Sequence, residues 1–290
     1  MSAQPTFACI IPWSGKNDYL GEALDSVFLQ QPAFDEVIVV CDRKELPETA
    51  NNKRVKWMLT GGAAGAGEAR NLGVRNATSD WVVFLDHDDL LLPDYLSTIR
   101  GSVSSEVFCL QVQLRYLSGG RTGNFISSDG WHDLPTGACI QRKAFLTAGG
   151  FPPMQGGEDM IMFRRLRRTL GETMRIPRHL ASYRIHPHSD SSSKALRAYF
   201  STKLCNQIDA GESAISWEEG SKVADEMAQG IGVDPKEFRR AKKETSSRSF
   251  LRMSYAYSLS GKPLHSLIFL LRAFFSSPEY FLGKIRNKWS

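Results

Sequence analysis

The stretch Gly65–Asp89, GAGEARNLGVRNATSDWVVFLDHDD, decides the fold. Its Trp81–Leu85 segment, WVVFL, is apolar throughout. A continuous apolar run of that length marks a strand buried on both faces. A glycine-rich loop, Gly61–Gly67, comes before it, and the spacing predicts a helix from about Glu68 to Asn76. The strand ends in Asp86-His87-Asp88-Asp89. Carboxylates crowded in this way repel one another and need a cation or hydrogen-bond donors to stay ionised.

The same alternation extends outward. Phe7–Pro12, FACIIP, reads as a buried strand closed by proline. Tyr19, Leu20, Ala23, Leu24, Val27 and Phe28 put a helix over Asp18–Gln30. Glu36–Cys41, EVIVVC, is a second apolar strand ending at Asp42, and Val55–Leu59 a third. Strands of this type alternating with helices give an α/β protein with a mostly parallel, Rossmann-like sheet flanked by helices. Ligands on such sheets bind at the carboxyl ends of the strands, where Asp42 and Asp86 both lie.

Further along, strand is expected from Glu106 to about Tyr116, a turn at Gly119–Gly123 and strand again over Thr136–Gln141. Arg142–Ala148 reads as a short helix stopped by Gly149-Gly150, and Met160–Leu170 as a longer one. The polar stretch Ser189–Ser193 places a boundary near 190. Residues 1–190 form the catalytic domain in this reading, and 191–290 a helical extension in which Pro263–Phe275 is expected to be largely buried.

With 290 residues, 42% hydrophobic and 23% charged, the chain is too apolar for a disordered protein and long enough for a sizeable core. The net charge of +5 is unevenly placed. Residues 1–190 sum to −1, whereas Lys236–Ser290 holds 12 basic and 3 acidic residues, or +9. With basic residues beside aromatics, as at Lys284, Arg286, Lys288 and Trp289, the tail suits an anionic lipid surface, the alternative being a helical appendage packed on the rest of the chain with a solvated basic face. A nucleic-acid partner is not expected, because the motif-bearing part is near neutral. Five cysteines without CxxC spacing read as buried thiols of a reducing cytosol. No signal peptide or spanning segment is read, so the expected location is cytoplasmic, peripheral at the inner face of the cell membrane.

Three elements carry chemistry. Asp86-His87-Asp88-Asp89 offers oxygen ligands suited to Mg²⁺ or Mn²⁺, with a bound diphosphate supplying the rest. Glu158-Asp159 opens a helix, where a carboxylate serves either as a first-turn acid or as a general base. His186, in Tyr183-Arg184-Ile185-His186, precedes a polar loop over Pro187–Ser193.

In order along residues 7–190, these pieces resemble the family 2 glycosyltransferases of GT-A fold. FACIIPWSGKNDYLGEALDSVFLQQ resembles the opening strand and helix, and EVIVVCD the second strand with its aspartate. GAGEARNLGVRNATSDWVVFLDHDD resembles the segment with the DxD motif, and PTGACIQRKAFLTAGGF the acceptor-side segment. GGEDMIMFRRL resembles the ED helix, and YRIH the late histidine.

The resemblance implies a metal-dependent, inverting transfer of a sugar from a nucleotide-sugar, a UDP-sugar by preference. The implied acceptor is a saccharide or lipid-linked glycan, in surface polysaccharide synthesis. It implies that Asp159 is the base, with Glu158 beside it. Asp42 would read the nucleotide base, Arg70 hold the base or diphosphate, Asp86 contact the ribose and the backbone near Pro12 line the pocket. Asp88 and His186 would ligate Mn²⁺ or Mg²⁺. His87, at the variable position of the motif, is grouped with the donor contacts although its side chain is expected to face solvent. Two departures stand out. Cys41-Asp42-Arg43-Lys44 replaces a DDGS-like run, and Trp13-Ser14-Gly15-Lys16 replaces a Tyr-Asn-containing loop, with Asn17 filling part of that role. A nucleotidyltransferase-like enzyme would need a glycine-rich basic loop after the first strand, and Pro12–Asp18 holds one glycine and one lysine. A non-catalytic nucleotide-sugar-binding scaffold is the other alternative. Acceptor choice is assigned to loops around Ser118–Trp131 and to the C-terminal half. No motif sets the oligomeric state.

Overall fold

A computed structural model describes residues 4–15, 19–48, 50–124, 133–186 and 195–289. Asn17, Trp131 and the Pro187–Ser193 loop lie outside the described residues.

The chain begins as an alternation of strand and helix: β1 (Phe7–Trp13), α1 (Leu20–Phe28), β2 (Glu36–Cys41), β3 (Lys56–Leu59), α2 (Gly65–Asn76) and β4 (Trp81–Phe84). β5 (Leu90–Leu91), α3 (Tyr95–Ser102), β6 (Cys109–Ser118), β7 (Arg121–Asn124), β8 (Cys139–Gln141), α4 (Arg142–Thr147), α5 (Glu158–Leu170) and β9 (Met174–Arg184) follow. The sheet order is β3-β2-β1-β4-β8-β6-β9-β5, with β7 on β6. The four strands β3-β2-β1-β4 are parallel, whereas β8 meets both β4 and β6 antiparallel. The change of direction follows from the connections, since β3 and β4 are joined through a helix that crosses over, while β6 and β7 turn back within two residues at Gly119-Gly120.

Two compact units result. The first takes Met1–Leu114, Trp131–Pro153 and Glu158–Tyr183, and the second Arg115–Gly130, Met154–Gly157 and Arg184–Ser290. In the first unit β1 is buried at every position, because strands flank it on both sides. Pro12 is tolerated in this central strand since the β4 pairing has already stopped at Ile10–Phe84. Phe84 lies 5.5 Å from the rings of both Phe145 and Phe151, which ties β4 to the segments around α4. Such pairs add ~0.5–1.5 kcal/mol each beyond the area they bury.

α2 packs on β1 and β2 through Gly73. A Cβ there would meet Ile10 Cγ2 at 2.6 Å and Val40 Cγ2 at 3.4 Å. Helix propensity favours alanine by ~1 kcal/mol, but overpacking costs ~1–3 kcal/mol. Gly73→Ala is therefore expected to lower the unfolding free energy, read as a lower urea midpoint. Gly21→Ala in α1, where nothing lies within 4 Å, should raise it. A raised midpoint for Gly73→Ala would refute the close approach.

The helices of the second unit are α6 (Ala195–Asp209), α7 (Trp217–Ala228), α8 (Pro235–Leu259), α9 (Pro263–Ser276) and α10 (Pro278–Trp289). Their starts are encoded locally. Ser216 and Glu219 form a capping box on α7, and Asp234 caps α8 with Pro235 in the first turn. α6 holds the Met154–Gly157 segment, with the Ser201 hydroxyl within hydrogen-bond reach of the Gln155 and Gly156 carbonyls at 2.8 and 2.5 Å. α9 sits on α8 through small residues. Ser247 Oγ donates to the Ala273 carbonyl at 2.8 Å and Ser254 Oγ to the Ser266 carbonyl at 2.9 Å.

One expectation is overturned here. Pro263–Phe275 is not largely buried, since Ala273 is its buried residue and Leu264, Leu267, Ile268, Leu271 and Phe275 all stand exposed. The helix is apolar nearly all round, so periodicity could not say which face would be covered. Small side chains and Phe269, which packs on Phe250 and Tyr257, form the contact with α8, and the leucine-rich face is left outside. Among the described residues, no helix is long and apolar enough to cross a membrane.

Candidate active site

Asp42, after β2, organises the loop that starts α2. Its Oδ1 accepts from Thr60 Oγ1 at 2.5 Å and from the Ala64 N–H at 2.9 Å, and its Oδ2 from the Gly65 N–H at 3.0 Å. Burial alone would push this carboxyl up, but the three hydrogen bonds outweigh it and hold it below the usual carboxylate range. The bonds also explain why α2 begins at Gly65 and not near Glu68: a negative group holds the first amides of the helix. Beside it, the Asp42 N–H donates to the Trp13 carbonyl at 2.8 Å. Trp13 is buried against Trp57, with ring centroids 6.3 Å apart, and its indole Nε1 has no partner among the described residues. Pro12 lies in the buried end of β1, two residues from the open loop.

Arg70, on α2, is the hub of the site. It is buried, and its guanidinium forms an ion pair with Asp86 Oδ1. The Phe151 ring lies 5.4 Å from its guanidinium carbon. Burial disfavours the charge, but Asp86, Glu158 and Asp159 together more than restore it. Glu158 reaches this position because α2 has no side chain at Gly67, where a Cβ would meet Glu158 Cγ at 3.1 Å and Phe151 Cβ at 3.3 Å.

Asp159 is half-buried in the first turn of α5, where the helix terminus favours a negative charge. Burial nevertheless pushes its carboxyl above the ordinary range. The Met160 N–H, at 2.8 Å, and Arg70 oppose that rise, and the Asp86 charge adds to it. A carboxylate with a raised pKa beside a fixed cation is a suitable proton acceptor.

The Asp86–Asp89 turn is pinned by Thr136. The Asp86 N–H donates to Thr136 Oγ1 at 3.2 Å, and that hydroxyl donates to Asp89 Oδ2 at 2.6 Å. Asp89 is almost fully buried, and its N–H closes the turn onto the Asp86 carbonyl at 3.0 Å. Asp88 is half-buried between these two anchored neighbours. His87 does not face solvent as expected: it is half-buried, and its Nε2 is buried without a partner among the described residues. His186 is buried in the second unit, just after the Ile185 N–H donates to the Leu117 carbonyl at 2.9 Å.

The first unit thus brings together Arg70, Asp86, Glu158 and Asp159, with Asp42 at the neighbouring strand end. Among the described residues, no three His, Cys, Asp or Glu side chains form a group able to hold a metal by themselves. Mg²⁺ or Mn²⁺ shared with a substrate diphosphate needs only one or two carboxylates, and Asp88 on a pinned turn fits that smaller requirement. All five cysteines are buried and in no disulfide, and burial pushes the thiols of Cys9, Cys41, Cys109 and Cys139 up, to about 11 for Cys41 and about 12 for Cys109. They stay protonated and do not serve as nucleophiles.

Sequence reasoning missed Thr136 and Thr60. Thr136 had a signal in Pro135-Thr136-Gly137, a small polar residue between two turn formers. Thr60 had none.

The family model of glycosyl transferase family 2 matches residues 8–166, which contain every residue of this cluster. Two Haemophilus influenzae proteins, each described as an uncharacterized glycosyltransferase, share shorter segments. One is 32% identical over 99 residues, covering 32% of this chain and 40% of that protein. The other is 31% identical over 88 residues, covering 29% and 30%. The matched segments therefore span well under half the length of these relatives. Among solved structures, Staphylococcus aureus TarS 1–349 superposes with a TM-score of 0.57 at 13% identity, covering 94% of this chain and 92% of that one. The mannosyltransferase PcManGT from Pyrobaculum calidifontis, in complex with GDP-Man and Mn²⁺, gives 0.56 at 14% identity, covering 93% and 88%. These likenesses show a shared fold, GT-A. The family match covers more than half of the chain and the whole Arg70-centred cluster, and the chain belongs to glycosyl transferase family 2.

Proposed function

We propose that this chain transfers a sugar from a nucleotide-sugar to a saccharide or lipid-linked glycan acceptor, with inversion and with a divalent metal, in surface polysaccharide synthesis. The observation that carries the reading is Arg70, which joins the strand-end carboxylate Asp86 to the helix carboxylates Glu158 and Asp159. Donor and acceptor functions thereby meet at one buried cation.

In this reading Asp42, Asp86, His87 and the β1 end near Pro12 hold the nucleoside, and Arg70 keeps Asp86 in place. Asp159 accepts the proton of the acceptor hydroxyl as its oxygen bonds to the anomeric carbon. The bond from that carbon to the diphosphate breaks, and the nucleoside diphosphate departs with the electron pair. A single base opposite the leaving group gives inversion. When bound through Asp88, Mn²⁺ or Mg²⁺ would neutralise charge on the diphosphate, and the resemblance assigns His186 as a second ligand or a diphosphate contact. TarS 1–349 has been solved with UDP-GlcNAc and PcManGT with GDP-Man, which supports testing both bases, with UDP first. We place the protein at the cytoplasmic face of an anionic membrane, through its basic C-terminal region.

The test is a panel of UDP- and GDP-sugars with Mn²⁺, read by thermal shift and by product. Stabilisation by one donor and release of nucleoside diphosphate are expected. Release of pyrophosphate would make the protein a nucleotidyltransferase. Binding without turnover across acceptors would make it a scaffold.

A further inference from the structure

Six of the large apolar side chains that stand exposed among the described residues lie on α9. Leu264, Leu267, Ile268, Leu271 and Phe275 stand at positions i, i+3, i+4, i+7 and i+11, so they share one face, opposite Ala273. Leu264 is 67% exposed and Phe275 75%. Singly exposed apolar residues are ordinary, but a contiguous stripe marks a docking surface. A groove of about 510 Å³ runs along it between Phe250 of α8 and Ile268, Leu271 and Phe275, with Arg272 at its edge.

Charge identifies the occupant. α9 carries Arg272 and no acidic residue, and Lys262, Arg248 and Lys284 stand exposed on the neighbouring segments. Of the three acidic residues in Lys236–Ser290, Glu237 pairs with Lys203 at 2.5 Å and Glu244 with Arg240 at 2.9 Å. A second copy of the chain would bring the same positive charge and be repelled. An anionic bilayer offers both an apolar layer for the stripe and phosphates for the basic rim. α9, about 21 Å long at ~1.5 Å per residue, is too short to span a membrane, which takes about 20 residues.

We propose that α9 lies in the plane of an anionic bilayer surface with Leu264, Leu267, Ile268, Leu271 and Phe275 inserted among the acyl chains. This rests on the peripheral-membrane part of the proposed function and moves the anchor from the basic tip to the apolar stripe. Basic residues steer the protein to the surface, and the stripe holds it there.

The full chain is tested by flotation with vesicles of phosphatidylcholine alone and of phosphatidylcholine mixed with phosphatidylglycerol. Wild type is expected to float with the mixed vesicles and not with the neutral ones. Leu267→Ser, Ile268→Ser and Phe275→Ser combined should weaken binding by about tenfold or more, with circular dichroism unchanged because these side chains are already exposed. Lys284→Gln, Arg286→Gln and Lys288→Gln combined should weaken it less. Unaltered flotation of the serine variant would overturn the inference, even if the tip variant failed to float. Equal flotation with neutral vesicles would overturn the charge argument. A concentration-dependent dimer lost in the serine variant, with no flotation of wild type, would assign the stripe to a second copy. Transfer to a soluble acceptor, followed in the same samples, reports on the catalytic reading separately.

Discussion

Asp159→Asn is expected to abolish most sugar transfer while leaving the protein at least as stable as wild type. A positioned general base contributes ~10²–10⁴ in rate, so kcat should fall by about that factor. The asparagine has the same shape but accepts no proton. In the wild type, burial raises the Asp159 carboxyl above its ordinary value, and the Asp86 charge adds to the rise. The folded state therefore binds a proton more tightly than the unfolded state. Ionised Asp159 costs stability as pH rises from the ordinary carboxylate value through the raised one, and neutral asparagine avoids that cost at pH 7. The acid limb of kcat/KM should lie above the ordinary aspartate value of about 3.9 in the wild type and vanish in the variant. The checks are a pH–rate profile and a thermal melt of both proteins. Full transfer by a folded Asp159→Asn would remove the base from Asp159.

The second large effect is expected at Asp88. Its neighbours anchor the turn, Asp86 through Arg70 and Asp89 through Thr136, and these anchors are expected to hold its shape when the Asp88 side chain is shortened. Asp88→Ala should lower kcat by ~10²–10³, the range seen when one stabiliser of transition-state charge is lost. The thermal midpoint without ligand should be unchanged. The stabilisation that a nucleotide-sugar confers in the presence of Mn²⁺ should fall to the level seen with chelator. Turnover and Mn²⁺-dependent donor stabilisation both equal to wild type would exclude Asp88 as a ligand. A lost midpoint without ligand would show that Asp88 holds the turn.

The parallel strands were legible because β1, β2 and β4 are apolar at nearly every position, although Pro12 does not close β1, which runs on to Trp13. The helix of the ED motif was legible from the spacing of Phe163, Leu166 and Leu170, and its start from the acidic pair after Gly156-Gly157. Arg70 was legible as a site residue but not as the partner of Asp86, because an ion pair across sixteen residues depends on how closely α2 approaches the end of β4. Gly73 sets how closely α2 lies on β1 and β2, and Gly67 sets the approach of the ED helix.

By itself, the sequence determined the strand–helix alternation, the order of the acidic motifs and the concentration of positive charge after Lys236. These are properties of local periodicity and of residue type, and they need no partner from elsewhere in the chain. The tertiary structure decided which carboxylates are also tied into the fold. Asp42 holds the start of α2 and Asp89 holds a turn, while Asp159 is left with a raised proton affinity. It also decided that the apolar stripe of α9 faces outward. A helix with apolar residues all round buries the face that fits most closely, and here the face holding Phe269, Ala273 and Ser266 meets α8.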